Sequence, residues 1–179
     1  MEKDIASVLL PEEKIKSRVA AMGRRITEDY AGKRLIMIGV LKGAVPFLAD
    51  LTRCVPLPLR YDFIAVSSYG AATVSSGAVR LLKDLDLSIE GFDVLLVEDI
   101  IDTGLTLRYL RENLQSRRPA SLKIAAMLNK PERRVTDITA DYCGFTVPDE
   151  FLVGYGLDYN QNYRNIPYVG VLKREIYER

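Results

Sequence analysis

Hydrophobic residues recur along the chain with two kinds of spacing, and the alternation between them organises the sequence. From residue 12 to residue 32, apolar side chains return at three- and four-residue steps, which predicts an amphipathic helix that begins after Pro11 and ends at Gly32. Continuous apolar runs at 35–40 and 94–97 instead predict strands buried on both faces of a sheet.

The remaining elements follow from the same reasoning. Further helices are predicted over 44–54 and 104–115, and further strands over 59–69, 79–86, 122–128, 142–147 and 151–156. The stretch 70–77 has small and hydroxylated residues without periodicity, which predicts a loop. Alternating strands and helices predict an α/β fold with a mainly parallel twisted sheet flanked by helices, and the length suits one domain over residues 1–179.

Composition removes several classes of function. Lys and Arg number 25 against 24 Asp and Glu, so no global field favours nucleic acid or an anionic membrane as a partner. The absence of His excludes histidine-based triads and most zinc sites, and leaves acid-base chemistry to carboxylates, Lys or Tyr. Two cysteines and no apolar run of ~18 residues predict reduced thiols in a cytoplasmic protein.

Polar residues concentrate directly after the apolar run 94–97, in the sequence EDIIDTGLT. In a parallel sheet, ligands bind beyond the carboxyl ends of the strands, and a helix that begins near Gly104 offers its unpaired N–H groups to a phosphate. Thr103 and Thr106 can add hydroxyl donors. Glu98 and Asp99 can accept hydrogen bonds from sugar hydroxyls or hold a hydrated Mg²⁺.

A purely structural interpretation of this segment stays open. Asp102 or Thr103 could be an ordinary N-cap, with Glu98 and Asp99 as solvated strand ends. However, adjacent acids that close an apolar strand are costly unless something polar meets them. The chain contains neither a P-loop nor a Rossmann GxGxxG motif.

The whole pattern of this segment resembles the phosphoribosyl pyrophosphate (PRPP) signature of the type I phosphoribosyltransferases, and from Glu13 onwards the chain resembles their hypoxanthine-guanine branch. The resemblance implies that Asp102 is the catalytic base at the purine and that Mg²⁺ is bound near Glu98, Asp99 and Asp158. It implies a set of contacts to the phosphate and ribose: Glu98, Asp99, Ile100, Ile101, Asp102, Thr103, Gly104, Leu105 and Thr106. Leu105 stands where the family often has Lys.

Four other places carry the resemblance, and each implies a role. Lys42 and Gly43 are similar to the family's pyrophosphate loop, in which the peptide before the Lys is often cis, and Arg164 matches an arginine at the pyrophosphate. Ser68 and Tyr69 are similar to a lid that excludes water. Four residues match contacts at the purine, where a donor-only Lys would favour a 6-oxopurine over adenine: Lys130, Phe151, Leu152 and Asp158.

The resemblance implies transfer of the 5-phosphoribosyl group from PRPP to N9 of hypoxanthine or guanine, which gives IMP or GMP and pyrophosphate. It also implies a small hood formed by the N- and C-terminal segments, and a homodimer or homotetramer. Two alternatives stay open: a phosphoribosyltransferase for xanthine, adenine or a pyrimidine, and a regulatory module of the same fold that binds RNA. The near-neutral charge gives the second alternative no basic face.

Overall fold

A computed structural model describes residues 1–68 and 79–178, which form two sheets. The predicted strand positions supply a six-stranded sheet in the order β4-β3-β2-β5-β6-β7, in which β4 joins β3 antiparallel and the other pairs are parallel. The strands are β2 (Leu35–Leu41), β3 (Leu59–Ser68), β4 (Val79–Lys83), β5 (Asp93–Ile101), β6 (Ser121–Asn129) and β7 (Tyr142–Thr146). The mainly parallel sheet confirms the predicted fold class.

Helices cover both faces of this sheet. Helices α1 (Glu12–Asp29) and α2 (Val45–Arg53) pack on one face. The apolar side chains that the sequence predicted at three- and four-residue steps along the first helix are buried there. The opposite face is covered by α3 (Leu105–Gln115), which buries Leu107, Leu110 and Leu114. None of the helices in the described residues combines the length and the apolar character that crossing a membrane requires.

A second sheet joins the two ends of the chain in the order β1-β9-β8. Its strands are β1 (Ile5–Leu10), β8 (Leu152–Val153) and β9 (Val169–Leu172), and a short helix α4 (Arg174–Tyr177) follows. The sequence did not predict β1 or β9, and the predicted strand 151–156 was too long. The chain leaves the extended conformation after Val153 because Gly154, Tyr155 and Gly156 all have positive φ, at 93°, 48° and 100°.

The predicted boundaries were wrong at the place where the polar residues gather. Strand β5 continues to Ile101, so Glu98 and Asp99 lie within the strand and not beyond it. Helix α3 follows Gly104, whose φ of 84° is left-handed, so neither Asp102 nor Thr103 is its N-cap. Strand β4 ends at Lys83 and not at residue 86. Tyr69 and the predicted loop 70–77 lie outside the described residues.

Candidate active site

The order of strands in the central sheet reverses between β2 and β5, and polar residues lie at the ends of both strands. Strand β2 pairs with β3 on one side and with β5 on the other, which makes the crevice between β2 and β5 a topological switch point. Lys42 and Gly43 follow β2 there, across a cis Leu41–Lys42 peptide bond. A Cβ atom on Gly43 would lie 1.6 Å from Oδ2 of Asp99, so only glycine lets this loop contact β5.

The segment around Gly156 also contacts the loop after β2. A Cβ atom on Gly156 would lie 1.9 Å from the carbonyl oxygen of Gly43. Residues 43, 99 and 156, which are far apart in the sequence, therefore touch through backbone and one carboxylate. This contact brings the predicted pyrophosphate loop next to the predicted ribose acids.

The two acids on β5 interact in largely buried surroundings, where the charge of Arg164 favours the ionised form of Asp99. Glu98 is only 8% exposed, and its Oε2 atom has no hydrogen-bond partner within the described part of the chain. Burial, and next the charge of Asp99, raises the pKa of Glu98 well above its ordinary value. Burial also raises the pKa of Asp99, although the Glu98 hydrogen bond and the Ile100 N–H oppose this shift. A pair of this kind suits a polar ligand that supplies hydroxyl groups or positive charge.

The loop after β5 surrounds a small cavity of about 120 Å³. The carbonyl groups of Ile101, Asp102 and Thr103 all accept hydrogen bonds from the segment that follows β6. The cavity is lined by Glu98, Ile100, Ile101, Asp102, Thr103, Gly104, Thr106 and Leu107. These include the predicted phosphate-binding residues except Asp99 and Leu105. Leu105 instead forms the first turn of α3, with its N–H 3.4 Å from Oγ1 of Thr103.

A larger cleft of about 460 Å³ opens beside this cavity. It is lined by Asp99, Ile100, Asp102, Lys130, Arg133, Asp149, Glu150, Phe151, Leu152, Leu157, Asp158 and Tyr177. All four residues predicted to contact the purine are in that set. Asp102 lines both spaces and thus stands between them, with its Oδ1 atom 3.5 Å from Nε of Arg133.

Lys130 and Phe151 are held in place by neighbours that the sequence reasoning missed. The Lys130 side chain is 8% exposed, and its Nζ atom donates to the Glu150 carbonyl at 2.8 Å and lies 3.4 Å from Asp149. The Phe151 ring stacks on Tyr177 at a centroid distance of 4.6 Å and meets the edge of Tyr159 at 5.6 Å. Tyr177 gave no sequence signal because it belongs to a helix of only 4 residues.

The residues predicted for pyrophosphate share one polar network. Arg164 lies 2.7 Å from Oδ1 of Asp158, and it donates to the Gly156 carbonyl at 2.7 Å. Lys42 donates to Oε1 of Gln161 at 3.2 Å, and Arg164 donates to the same oxygen at 3.4 Å. Gln161 was missed by the sequence reasoning. Of the two residues predicted for a lid, Ser68 ends β3 and Tyr69 lies outside the described residues.

The carboxylates predicted for Mg²⁺ do not form a metal cluster on their own. Within residues 1–68 and 79–178, no three Asp, Glu or Cys side chains come close enough together to hold a metal ion. Carboxylate oxygens are nevertheless the donors that Mg²⁺ prefers, and Oε2 of Glu98 has no hydrogen-bond partner among the described residues. The chemistry of these residues therefore fits a cation that arrives with other oxygen ligands.

Comparisons with known proteins agree with this geometry. A family model described as phosphoribosyl transferase domain matches residues 6–160. A hypoxanthine-guanine phosphoribosyltransferase of Streptococcus thermophilus (strain CNRZ 1066) is 54% identical over 179 residues, covering 100% of this chain and 99% of that protein. One from Bacillus subtilis (strain 168) is 53% identical over 178 residues, or 99% of each chain. The crystal structure of a Staphylococcus aureus hypoxanthine phosphoribosyltransferase superposes with a TM-score of 0.97 at 49% identity, over 100% of this chain and 97% of that one.

Proposed function

The chain belongs to the phosphoribosyltransferase family, in its hypoxanthine-guanine branch, and we propose that it transfers the 5-phosphoribosyl group of PRPP to N9 of hypoxanthine or guanine. The products are IMP or GMP and pyrophosphate. The observation that carries this proposal is the position of Asp102 between the small cavity and the large cleft. A reaction that joins a sugar phosphate to a base needs two adjoining sites with an acid-base group at their junction.

The small cavity suits the 5′-phosphate of PRPP. Its wall contains the Gly104 backbone and the start of α3, where unpaired N–H groups and the positive end of the helix dipole attract an anion. The hydroxyl groups of Thr103 and Thr106 can donate to the same phosphate. Glu98 and Asp99, on the strand that leads into this loop, would accept hydrogen bonds from the ribose hydroxyls.

Mg²⁺ is proposed as the cofactor, and when bound with PRPP it would supply positive charge that offsets the charge of the pyrophosphate leaving group. Glu98, Asp99 and Asp158 would hold it together with oxygens of the substrate. Lys42 and Arg164 would then contact the pyrophosphate after exchanging their present acceptors, Gln161 and Asp158, for its oxygens. Their donors are already directed at one place, which limits the cost of ordering them.

The large cleft suits a 6-oxopurine. Lys130 would donate to O6 of the base, whereas adenine presents an amino group there, which the donor-only ammonium disfavours. Phe151 offers an aromatic surface for the ring, and the backbone at Leu152 can contact its edge. The preference among hypoxanthine, guanine and xanthine stays a prediction to be measured.

Asp102 is proposed to accept or share the N7 proton while N9 attacks C1′ from the side opposite the leaving pyrophosphate. The C1′–O bond to pyrophosphate breaks as the C1′–N9 bond forms, so the ribose ring carries positive charge in between. Positioning and charge stabilisation should account for much of the rate. The lid role of Ser68 and Tyr69, which would keep water from C1′, stays a prediction.

The surroundings of the enzyme are also proposed. PRPP and the nucleotide products carry charged phosphates that do not cross membranes, so we place the protein in the cytoplasm with its substrates.

We propose that residues 1–179 form one domain in which the three-stranded sheet is the small hood. A homodimer or homotetramer is proposed because an apolar groove of about 370 Å³ lies on the surface between α2 and β3.

Replacement of one acid tests the proposed chemistry. Asp102→Ala should still bind PRPP in calorimetry, because the phosphate is held by backbone groups, but should lose turnover by about 100-fold or more. Asp137→Ala, which removes an exposed acid outside both cavities, is the matched control and should keep wild-type turnover. Full activity in Asp102→Ala would remove Asp102 as the proposed base. Parallel assays of the wild type with hypoxanthine, guanine, xanthine and adenine test the class of base.

A further inference from the structure

One guanidinium group joins the phosphate loop to the purine-binding segment without lining either cavity. Arg134 donates from Nε to the Asp102 carbonyl at 3.0 Å and from Nη2 to the Ile101 carbonyl at 3.2 Å. Nη2 also donates to Oδ1 of Asn129 at 2.5 Å, and Nη1 donates to the Ile138 carbonyl. We propose, on the basis of the function proposed above, that Arg134 is a positioning residue that orients the phosphate-binding amides and couples them to the purine site.

The carbonyl groups held by this segment determine where the neighbouring amides point. In a planar trans peptide, the C=O of one residue and the N–H of the next point in opposite directions. Arg134 fixes the carbonyls of Ile101 and Asp102, and the Val135 N–H fixes that of Thr103 at 3.1 Å. The N–H groups of residues 102, 103 and 104 therefore point away from this segment, towards the side on which the phosphate is proposed to bind.

One of the carbonyl groups that Arg134 holds, that of Ile101, also ties the phosphate loop to Lys130. The Lys130 N–H donates to the Ile101 carbonyl at 2.9 Å, and its side chain reaches into the purine cleft. The phosphate loop also packs closely against the segment that follows β6, since a Cβ atom on Gly104 would lie 2.1 Å from Oγ1 of Thr136 and 3.1 Å from Cδ of Arg134. A shift of the loop must therefore move the segment that carries Lys130, so the two substrate sites are geometrically linked.

The planar fork of arginine is essential to this arrangement. Its five N–H donors have fixed directions, and here they reach four acceptors on three stretches of chain. A lysine ammonium has the same charge but donates from a single point, so it cannot span these carbonyls. Arg134→Lys therefore removes the geometry and keeps the charge.

The experiment compares Arg134→Lys with Arg111→Lys, a matched control at an exposed position of α3. PRPP binding is measured by calorimetry without a base, and KM and kcat are measured for PRPP and hypoxanthine. We expect Arg134→Lys to weaken PRPP binding about tenfold or more and to lower kcat/KM for both substrates by about 100-fold. A displacement of catalytic groups by about 1 Å reduces the rate by a factor of this size. Arg111→Lys should match the wild type in every constant.

A residue that only stabilised the fold would lower the unfolding temperature and leave these constants unchanged in the folded fraction. PRPP affinity and both KM values within twofold of wild type in folded Arg134→Lys would overturn the proposal. If Arg134→Lys does not fold, Asn129→Ala decides, because it keeps Arg134 and loosens only its side-chain anchor; a smaller loss in the same constants supports the proposal and no loss overturns it. Absence of turnover in the wild type would count against the proposed function, whereas PRPP binding still tests Arg134.

Discussion

At the scale of single residues, the cations proposed to bind substrate are already paired with acceptors of the chain. Lys130 contacts the Glu150 carbonyl and Asp149, Arg164 contacts Asp158, and Lys42 contacts Gln161. These contacts order each side chain before substrate binds. Oxygen atoms of the substrate would then replace the present partners. This lowers the entropic cost of binding but subtracts the energy of the contacts that are exchanged.

Replacement of Lys130 by Met should weaken recognition of 6-oxopurines. The charge-assisted hydrogen bond to O6 is worth about 1.5 to 3 kcal/mol, so kcat/KM for hypoxanthine should fall about 10- to 100-fold. PRPP binding should change little, because Lys130 does not line the phosphate cavity. Steady-state kinetics with Lys16→Met, a surface lysine on α1, provide the comparison. An unchanged kcat/KM for hypoxanthine would show that Lys130 does not contact the base.

Site residues differed in how far the sequence could identify them. The residues around Glu98 and Asp102 were identifiable because their motif is contiguous, and Lys130 and Phe151 because they match the family. Gln161 was not identifiable, since its bond to Lys42 joins positions 119 residues apart and no local pattern encodes it. Arg134 was not identified either, because most of its acceptors are main-chain carbonyls, which every residue possesses.

At the scale of elements, a polar contact fixes the end of α1 to the edge strand β7. The Tyr142 hydroxyl donates to Oδ2 of Asp29 at 2.5 Å, and Arg25 and Lys123 lie over the Tyr142 ring at 5.2 and 5.5 Å. This hydrogen bond lowers the pKa of Asp29. Burial, followed by the bond to Asp29, raises the pKa of Tyr142.

Tyr142→Phe should therefore destabilise the protein in a pH-dependent way. A lowered folded pKa stabilises the ionised Asp29, so the contribution is present above the unfolded pKa of about 4 and is lost as the pH falls through the folded value. At pH near 7 the loss should be about 1 kcal/mol, because Asp29 is partly exposed and solvent screens the bond. Urea unfolding at neutral pH and at a pH below the lowered pKa of Asp29 measures this, with Tyr109→Phe on α3 as control. A difference that persists in acid would contradict the assignment.

The elements also differed in how clearly the sequence marks them. Strands β2 and β5 were predictable because they are buried on both faces and read as continuous apolar runs. Strand β1 could not be predicted, because three of its residues are exposed and its partner β9 is near the other end of the chain. Long-range pairing, and not local preference, creates the second sheet.

At the scale of the whole molecule, the apolar groove between α2 and β3 is the surface proposed to associate with a second copy. Val45 is 40% exposed and Tyr61 is 59% exposed at this groove. Tyr61→Arg would place a charge in an apolar contact and should shift the protein towards monomer. Sedimentation at several concentrations measures the shift. Val8→Arg, at an exposed valine of β1, should keep the wild-type mass, and an unchanged mass in Tyr61→Arg would exclude this groove as the interface.

The backbone contact among Gly43, Asp99 and Gly156 limits how the enzyme can be redesigned. Packing defects between side chains can be repaired by a second substitution, but here a single added methyl group would overlap a carboxylate or a carbonyl oxygen. A mutant library for unnatural bases should leave these three codons unchanged. Its diversity belongs at Leu152 and Tyr177, which line the cleft and whose side chains can be exchanged together with their neighbours.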